Sequence, residues 1–486
     1  MPLLWLSIGA VLVLVITVLV RAFTFGQSTD PVAPAAAIPV DADAVAERLA
    51  RIVRCETVSF DNDRPADAQS LESLHAELRE MYPLVHARLE LEVVNDHALL
   101  YTWPGTDDGL EPILLAAHQD VVPADEATLS EWEHPPFAGQ IADGYVWGRG
   151  TLDNKHQLIA VMEAVEILLQ SDLSPQRTVY LGFGHDEEIG GRRGAKEIAA
   201  WLQERGVRLE AMIDEGGALM EGMLPGVKGG IALVGNAEKG YATLELSVSA
   251  EPGHSAMPPK HTAIGILAQA LTRLERSRMP ADSTAFRSLV AGMGKKAPFL
   301  YRLVFANLWL LGPIVHWALG NLPMTNALTR TTIAATMISG GIKENILPRT
   351  ATACVNSRIL VGNNSDQVLA HVKRAVRDEH VRVRKLGGFS SEPSPISPTD
   401  SAAYRKLGRA IRQTFGDVAV APFLMIAASD TRHYTHLCDN IYRFAPLPLT
   451  SEDLGRIHGI NERISVADLG RMVQFYGHLI KTWTEA

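Results

Sequence analysis

Three short apolar runs in this chain, each the length of one β-strand, end in clusters of carboxylate and imidazole side chains. The runs cover residues 113–117, 178–183 and 211–213, and the clusters are His118-Gln119-Asp120, His185-Asp186-Glu187-Glu188 and Asp214-Glu215. Strands that are apolar throughout are typical of a parallel sheet buried on both faces by helices. Because ligands bind outside the carboxyl ends of such strands, we expect the three clusters to line one rim of one sheet.

Helical periodicity between and around these runs indicates an α/β domain. Residues 154–170, which separate the first two runs, place their apolar side chains on one face at a 3.6-residue period. Helices are also predicted at 43–54, 71–81, 404–415 and 465–482. The predicted fold class for this part of the chain is therefore α/β, with a mostly parallel sheet.

The pattern changes at Gly240. Residues 242–250 alternate apolar and polar side chains, which indicates a sheet with one solvated face. From there the predicted order is strand, helix, strand, strand, helix, strand, at residues 242–250, 263–274, 331–338, 350–360, 365–377 and 380–386. That order is typical of a ferredoxin-like α+β unit. We therefore predict an inserted domain at 240–390, between two parts of the α/β domain at 43–239 and 391–486.

The N-terminus is a separate apolar segment. Residues 3–20 contain no charged side chain, and a helix of that length is about 27 Å long, close to the roughly 30 Å of a bilayer core. We predict an uncleaved transmembrane anchor at 1–22 and a Pro- and Ala-rich linker at 23–42, with the soluble part outside the cytoplasm. A signal peptide, which would give a secreted form, is the alternative. Arg21, Phe23 and Phe25 follow the apolar run where a cleavage site would have small residues.

Charge and cysteine content argue against three kinds of protein. The chain has 45 Lys and Arg against 55 Asp and Glu, a net charge of −10, which argues against a nucleic-acid binder. Its three cysteines, Cys55, Cys354 and Cys438, are too far apart for a disulfide framework or a cysteine-based zinc finger. A metal bound by this chain must therefore be held by histidines and carboxylates.

Residues of that kind are expected at the predicted rim. The candidate ligands are His118, Asp153, Glu188, Asp214 and His458, with Asp120 and Glu187 beside them. Taken singly, each has an ordinary explanation as a polar strand end, a helix N-cap or a solvated loop. Adjacent carboxylates such as Glu187 and Glu188 repel each other unless a cation lies nearby. Together, imidazole and carboxylate donors predict Zn²⁺, and a bridging Asp with two ligands per ion predicts a two-metal site.

Four motifs follow one another in the chain. They are Ala117-His118-Gln119-Asp120-Val121-Val122-Pro123, Trp147-Gly148-Arg149-Gly150-Thr151-Leu152-Asp153, Asp186-Glu187-Glu188-Ile189-Gly190-Gly191 and Gly253-His254-Ser255-Ala256. In this order they resemble the two-zinc aminoacylase/carboxypeptidase metallopeptidase family, and the resemblance spans about residues 46–482. Three further segments are similar to its carboxypeptidase S and N-fatty-acyl-amino-acid synthase/hydrolase branch: Leu322-Pro323-Met324-Thr325-Asn326-Ala327, Asn345-Ile346-Leu347-Pro348 and Arg456-Ile457-His458-Gly459-Ile460-Asn461-Glu462.

The resemblance implies a role for each residue of the rim. His118 and Asp214 would bind one of two zinc ions per subunit, and Glu188 and His458 would bind the other. Asp153 would bridge the two ions, and the peptide bond after it would be cis. Asp120 would orient His118. Glu187 would act as the general base, taking a proton from water and passing it to the leaving nitrogen.

The inserted domain is a lid in the resembled family, and it carries substrate contacts. His254, Asn345 and Arg358 would bind the substrate, and Arg358 would hold a carboxylate through its guanidinium. The resemblance also allows a homodimer formed through the lid. The implied activity is hydrolysis of an amide next to a free carboxylate, in a small-molecule substrate that is either a short peptide or an N-acyl amino acid, fatty-acyl ones included. A membrane-tethered binding module on a retired enzyme fold is the alternative from another class, although every expected metal position and Glu187 are present.

One apolar segment is left over, at residues 299–319 within the predicted lid. It holds Phe299, Tyr301, Phe305, Trp309 and Trp317 among many aliphatic residues. The interpretations are lid core, a dimer face or a wall for an acyl chain. A second transmembrane span is disfavoured by Pro313 in the middle and Arg302 at the edge.

Overall fold

The computed structural model describes residues 2–26, 32–33, 35–222, 227, 229–387 and 390–485, so the predicted linker lies partly outside the described residues, at 27–31 and 34. The helices are α1 (Pro2–Thr24), α2 (Ala42–Val53), α3 (Ala68–Met81), α4 (Pro83–Arg88), α5 (Lys155–Gln170), α6 (Ala195–Glu204), α7 (Ala263–Arg276), α8 (Thr284–Gly292), α9 (Phe299–Ala306), α10 (Leu308–Leu319), α11 (Pro323–Thr329), α12 (Ser365–Val376), α13 (Ala402–Phe415), α14 (Ser451–Arg456) and α15 (Val466–Thr484).

The strands are interspersed with these helices along the chain. They are β1 (Glu90–Val94), β2 (Ala98–Trp103), β3 (Ile113–His118), β4 (Gln140–Ala142), β5 (Tyr145–Trp147), β6 (Val179–Gly184), β7 (Ala211–Asp214), β8 (Leu219–Met220), β9 (Ile231–Glu238), β10 (Gly240–Ser249), β11 (Gly253–His254), β12 (Thr332–Gly340), β13 (Ile346–Leu347), β14 (Thr350–Ile359), β15 (Val381–Lys385), β16 (Ala419–Met425), β17 (Ile441–Arg443), β18 (Pro448–Leu449) and β19 (Arg463–Ser465). The helices and strands predicted from the sequence are confirmed to within a few residues.

The larger sheet is mixed. Within the described residues its order is β1-β2-β6-β3-β7-β17-β9-β8-β18, with β16 paired to β9. The central strands β6, β3, β7 and β17 pair in parallel. Towards one edge β6, β2 and β1 pair antiparallel, and towards the other so do β17, β9 and β8. The sheet is therefore mixed: the prediction of parallel strands is correct for those that carry the polar clusters, whereas the flanks combine these antiparallel pairs with the parallel pairs β8–β18 and β9–β16.

Helices cover both faces of the central strands. Leu115 of β3 packs in one core with residues of α2, α5 and α15, whereas its neighbour Leu114 packs in another with residues of α6. Successive side chains of a strand point to opposite faces, so an unbroken apolar run fills both cores at once. The carboxyl ends of the strands, where the polar residues follow, form the open rim.

A smaller sheet lies in the stretch predicted as an insertion. Its order is β12-β14-β10-β15, and all neighbours pair antiparallel. Leu244 and Leu246 of β10 pack against Leu267 of α7 and Val372 of α12, so the two helices cover one face. In chain order these elements run strand, helix, strand, strand, helix, strand, as the alternating pattern predicts. The strand β12 forms one edge of this sheet.

Helices α8 to α11 interrupt that unit and pack elsewhere. Phe286 of α8, Phe305 of α9 and Val315 of α10 belong to the core of the larger sheet, not to that of the smaller one. The apolar segment at 299–319 is divided between α9 and α10, which meet at a bend of 110°. Its interpretation as lid core is therefore wrong.

The N-terminal helix is apolar, and the described residues leave most of its length uncovered. Within the described residues, Leu3–Thr24 is the one continuous helix with the length and hydropathy to cross a membrane, and none of its apolar window is buried in the protein. The pair α9 and α10 meets the same criterion only if the two are taken together as one broken span.

Candidate metal centre

The three polar clusters meet at one rim because the strands that precede them are parallel neighbours. His118 ends β3, and its register partner in β6 is Gly184. The chain continues from β6 into a short 3-10 turn, Glu187–Ile189, while Asp214 ends β7 on the other side of β3. Parallel pairing brings the carboxyl ends together, so the sequence-predicted residues of all three clusters lie at one place.

His118 lies at the centre of the cluster and is almost completely buried. Its Nδ1 is 2.9 Å from the backbone carbonyl oxygen of Asp120, and its Nε2 is 3.0 Å from Oδ1 of Asp153. A proton on Nδ1 that is donated to the carbonyl leaves the Nε2 lone pair directed at the carboxylates. This tautomer is the one in which a histidine ligates a metal.

Asp153 joins the two histidines. Its Oδ2 lies 3.0 Å from Nε2 of His458, which is in turn 3.4 Å from Oε1 of Glu188. Asp153 immediately precedes α5, and the peptide bond from Asp153 to Asn154 is cis, as the resemblance implies. His458 follows α14 with a φ of 60°. Asp153 thus lies where four segments meet: the ends of β3, β6 and α14 and the start of α5.

Glu215 is a site residue that the sequence reasoning missed. Its Oε2 is 3.6 Å from Nε2 of His118, whereas Asp214, the predicted ligand, accepts the backbone N–H of Glu215 at 2.9 Å through Oδ1. The other oxygen of Asp214 is buried without a hydrogen-bond partner among the described residues. The signal was present in the sequence, since Glu215 follows Asp214 directly and its side chain is one methylene longer.

Asp120 holds the two adjacent glutamates as well as the histidine. Its carboxylate accepts the backbone N–H of Glu187 at 3.0 Å and that of Glu188 at 3.2 Å. Its Oδ1 lies 3.3 Å from Nδ1 of His118, farther than its own carbonyl oxygen is. The carboxylate therefore fixes the turn that carries Glu187 and Glu188, and its backbone carbonyl fixes the imidazole.

The carboxylates of the cluster are more numerous than its cations. Burial, together with the charges of Asp430 and Glu215, raises the pKa of Glu187 well above its usual range. Burial likewise raises the pKa of Asp214 to about 6. One guanidinium, that of Arg432, lies 3.4 Å from Oε1 of Glu187. A buried group of this kind is stabilised in its charged form by a cation.

Both imidazoles respond to the same excess of negative charge. Burial opposes protonation of His118, but Glu215, Asp120 and Asp153 raise its pKa well above the ordinary value. Hydrogen bonds to Asp153 and Glu188 raise the pKa of His458 to about 10. In the absence of metal, each imidazole is therefore protonated, and its positive charge replaces that of a bound cation.

The donor set is suited to hold metal ions. The ligand atoms of His118, Glu187 and Glu215 lie within 4.8 Å of one another, and so do those of His118, Asp153 and Glu188. One oxygen of Asp214 is buried without a hydrogen-bond partner among the described residues, and Oε1 of Glu188 is buried with the His458 imidazole 3.4 Å away. Imidazole and carboxylate donors suit Zn²⁺, and the unpartnered oxygen of Asp214 is a group that a metal would satisfy.

A buried ion pair ties the loops that carry Asp153 and His458. Glu462 is fully buried, and its Oε1 accepts the backbone N–H groups of Gly150 at 3.0 Å and Leu152 at 2.7 Å. Its Oε2 pairs with Nη1 of Arg149 at 2.5 Å, and Nη2 of Arg149 donates to the carbonyl of His458 at 3.3 Å. These contacts set the distance between the two loops.

The three predicted substrate residues lie on or beside strands of the inserted stretch. His254 of β11 faces Ile346 of β13, and Asn345, which is exposed like His254, immediately precedes β13. Arg358 of β14 stacks its guanidinium over the ring of Tyr241, 4.8 Å from the centroid. Within the described part of the chain, no hydrogen bond or ion pair links these residues to His118, Asp153 or Glu188.

The sequence of the chain matches one protein family over most of its length. The family model for peptidase family M20/M25/M40 covers residues 114–482, which includes the whole of the cluster. The chain belongs to peptidase family M20/M25/M40. It is accordingly a hydrolase of a metallopeptidase family.

Relatives in family M20/M25/M40 are similar to nearly the full chain. A probable carboxypeptidase S-like 2 of Dictyostelium discoideum is 42% identical over 441 residues, covering 90% of this chain and 84% of that protein. The N-fatty-acyl-amino acid synthase/hydrolase PM20D1 of Xenopus tropicalis is 41% identical over 440 residues, covering 90% and 85%. The structure of an M20 family metallo-carboxypeptidase, Sso-CP2 from Sulfolobus solfataricus, matches with a TM-score of 0.67 at 17% identity, over 90% of this chain and 99% of that one. The likeness to Sso-CP2 shows the shared fold.

Proposed function

We propose that this chain is a two-zinc hydrolase that cleaves an amide bond next to a free carboxylate. The observation that carries the proposal is the cluster of two imidazoles and several carboxylates at the rim of the larger sheet, with a buried, unpartnered oxygen on Asp214. Structural ion pairs rarely leave carboxylate oxygens buried without partners. Membership of a metallopeptidase family supports the same assignment.

The geometry suggests how the residues would share two ions. His118 would bind one ion together with Asp214 or Glu215, and Glu188 and His458 would bind the other. Asp153, with one oxygen 3.0 Å from each histidine, would bridge them. Zinc at such a site supplies Lewis acidity, which makes water nucleophilic near neutral pH.

Within this arrangement Glu187 is the candidate general base. It would accept a proton from the attacking water at a carboxylate oxygen and deliver that proton to the leaving nitrogen. Asp120 is a positioning residue, because it accepts the backbone N–H of Glu187. Arg432, 3.4 Å from Oε1, would favour the charged form of this carboxylate and so oppose the effect of its burial.

We also propose the division of the chain into an anchor at 1–22, a linker at 23–42, a catalytic domain at 43–239 and 391–486, and a lid at 240–390. His254, Asn345 and Arg358 of the lid would bind the substrate once the lid closes, because within the described residues no hydrogen bond or ion pair joins them to His118, Asp153 or Glu188. Closure of a lid assembles a site and excludes water from it. A second copy of the chain, paired through the lid, would supply the same residues across the dimer.

Two substrate classes fit the site. The names of the relatives point to short peptides with a free C-terminus and to N-fatty-acyl amino acids. Both place a carboxylate next to the scissile amide, so both would use Arg358 as an anchor. With α1 uncleaved, the catalytic domain would act at a membrane surface outside the cytoplasm.

The decisive experiment measures zinc content and hydrolysis on the same full-length preparation. We expect about two equivalents of zinc per chain and turnover of at least one compound in a panel of dipeptides and short- and long-chain N-acyl amino acids. Zinc-loaded protein that hydrolyses none of them would favour the binding-module alternative.

The glutamate that acts as base is tested separately. Glu187→Gln keeps the size of the side chain but removes its capacity to accept a proton, so we expect bound zinc with kcat reduced by about 10²–10⁴-fold. Glu204→Gln, an exposed position at the end of α6, is the matched control and should leave kcat unchanged. Near-normal turnover in Glu187→Gln would assign the base to another group.

A further inference from the structure

The helices α9 and α10 present an apolar surface that the protein does not cover. Ile314 is 65% exposed and Trp317 is 72% exposed, and Leu310, one turn before Ile314, is exposed as well. The opposite side of α10, at Gly312 and Val315, is buried against the protein. No Asp, Glu, Lys or Arg occurs between Arg302 and Arg330. Water-exposed faces of a helix normally carry charge, so this face is unusual for a soluble surface.

The same helices are fastened to the end of α1. The ring of Phe23 packs on that of Phe299 at 5.1 Å, Nε of Arg21 donates to the carbonyl of Ala306 at 3.1 Å, and the amide of Asn307 donates to the carbonyl of Val18 at 3.1 Å. As α1 is followed backwards from residue 23 to 18, its partners advance from 299 to 307. The helix α9 therefore lies antiparallel along the last turns of α1.

These contacts determine the position of α10 along the axis of α1. Val18 is six residues before the end of α1 at Thr24, which is about 9 Å along the helix axis. The bend of 110° after α9 then directs α10 away from α1, roughly across its axis. If α1 crosses a bilayer, α10 lies roughly in the plane of that bilayer, about 9 Å below the level at which α1 ends. Amphipathic helices in a membrane interface are buried by about 5–10 Å.

The side chains around this junction have the distribution of a membrane interface. Trp309 and Trp317 are exposed on α10, and tryptophan is enriched at the boundary between acyl chains and headgroups. Arginines lie beside the aromatic rings near the end of α1: the guanidinium of Arg287 is 5.5 Å from the ring of Phe25, and that of Arg302 is 5.7 Å from the ring of Phe299. Long basic side chains at this level can extend into the headgroup layer.

We propose that the exposed face of α10, formed by Leu310, Ile314 and Trp317, docks into the outer part of the bilayer that α1 spans. The occupant of this face is lipid. The protein would then be held at two places, by α1 and by α10, so the body would have a defined orientation on the membrane instead of moving freely on a tether. This inference concerns attachment and does not depend on the reaction proposed for the metal centre.

The test is lipid quenching of a fluorescent label on the full-length protein in phosphatidylcholine vesicles. The background carries Cys55→Ser and Cys354→Ser, since Cys438 is buried. Single cysteines are introduced by Ile314→Cys on α10, Val11→Cys in α1 and Ile342→Cys, a 93% exposed loop position that serves as the water-exposed control. Each is labelled with an environment-sensitive dye and measured with lipids spin-labelled near the headgroup or near the chain end.

We expect the label at 314 to be quenched about as strongly as the label at 11 and several-fold more than the label at 342. The shallow spin label should quench position 314 more than the deep one does. Lack of quenching at 314 overturns the proposal. In that case, a blue-shifted emission at 314 would indicate that a second copy of the chain or another part of the protein covers the face, whereas a water-like emission would indicate a free surface.

Two further outcomes also decide against the proposal. Stronger quenching by the deep label at 314 would mean that α9 and α10 penetrate the bilayer as a broken span. Absence of quenching at position 11 would mean that α1 is not in the bilayer, which removes the basis for the depth assigned to α10. Zinc content and turnover of the labelled variants would report on the metal centre independently of either result.

Discussion

Glu462 illustrates how a residue outside the proposed set of metal ligands can hold those ligands in place. It is buried between the segment before Asp153 and the loop of His458, and its two oxygens bind two backbone N–H groups and Arg149. The position of Asp153, the proposed bridging carboxylate, relative to His458 depends on these contacts. Outer contacts of this kind orient the ligands of a metal and are often needed for tight binding.

Glu462→Gln tests this role. The amide retains the shape of the side chain but leaves the Arg149 guanidinium without its anion, and removing one partner of a buried ion pair costs about 3–5 kcal/mol of folding free energy. We also expect zinc affinity to fall by about 10–100-fold. Chelator competition measures the affinity and calorimetry the stability.

The control for that substitution is Glu452→Gln on α14. Glu452 is exposed and pairs with Arg456 one turn later, so its loss should change stability by less than about 0.5 kcal/mol and leave zinc affinity unchanged. If both variants behave alike, Glu462 does not position the metal loops.

Arg358 gives a prediction about substrate recognition. Arg358→Ala should raise KM for substrates with a free carboxylate and leave KM nearly unchanged for the corresponding esters, because the contact forms with the ground-state charge. Arg382→Ala, an exposed position on β15 of the same sheet, is the control and should affect neither. Equal losses on acids and esters would show that Arg358 does not bind the carboxylate.

The residues of the cluster could be predicted from the sequence because each follows a strand or starts a helix whose position the apolar pattern gives. The sequence did not reveal that Glu215, and not only Asp214, belongs to the cluster. Alternation along a strand places neighbouring side chains on opposite faces, but this rule no longer holds where β7 ends and the backbone turns. The longer side chain of Glu215 then reaches His118, a contact that only the three-dimensional structure shows.

At the level of elements, the sequence predicted where strands lie better than how they pair. The parallel centre follows from the long connections through α5 and α6. The antiparallel flank at β1 and β2 follows from a connection of three residues, Asn95 to His97, two of which have positive φ. A connection so short cannot return the chain for a parallel pair. No apolar run marked β8 or β18, which have two residues each.

The edge strand β12 gives a prediction about the proposed dimer. Among the strands that the structure describes it pairs with β14 alone, and Met337 and Ile338 are exposed on it. A long edge strand with apolar side chains is a template for pairing with another chain. Ile338→Lys should therefore raise the dimer dissociation constant by at least tenfold, measured by light scattering after size exclusion. Ile342→Lys, in the exposed loop beyond the strand, should not. A monomer at all concentrations in the unmodified protein would exclude this arrangement.

For the molecule as a whole, the sequence indicated an interrupted α/β domain but could not show how its pieces pack. The smaller sheet could be predicted, because a strand with one solvated face alternates apolar and polar side chains in the sequence. The segment at 299–319 carries no such signal, since it is apolar on every side. Only packing shows that it joins the core of the larger sheet through Phe305 and Val315 and meets α1.

The stability of the whole molecule should depend on its metals. Without cations, Asp153, Glu187, Glu188 and Glu215 crowd around His118, and their mutual repulsion opposes folding. Because zinc binds the folded state, each site adds about 2.7 kcal/mol at a free concentration one hundred times its dissociation constant. Chelation should therefore lower the calorimetric unfolding midpoint, and added zinc should restore it. In Glu188→Gln, which removes one charge and one ligand, the metal-free protein should be less destabilised and the gain from zinc smaller. A midpoint that is the same with chelator and with zinc, in the unmodified protein, would show that the cluster binds no metal.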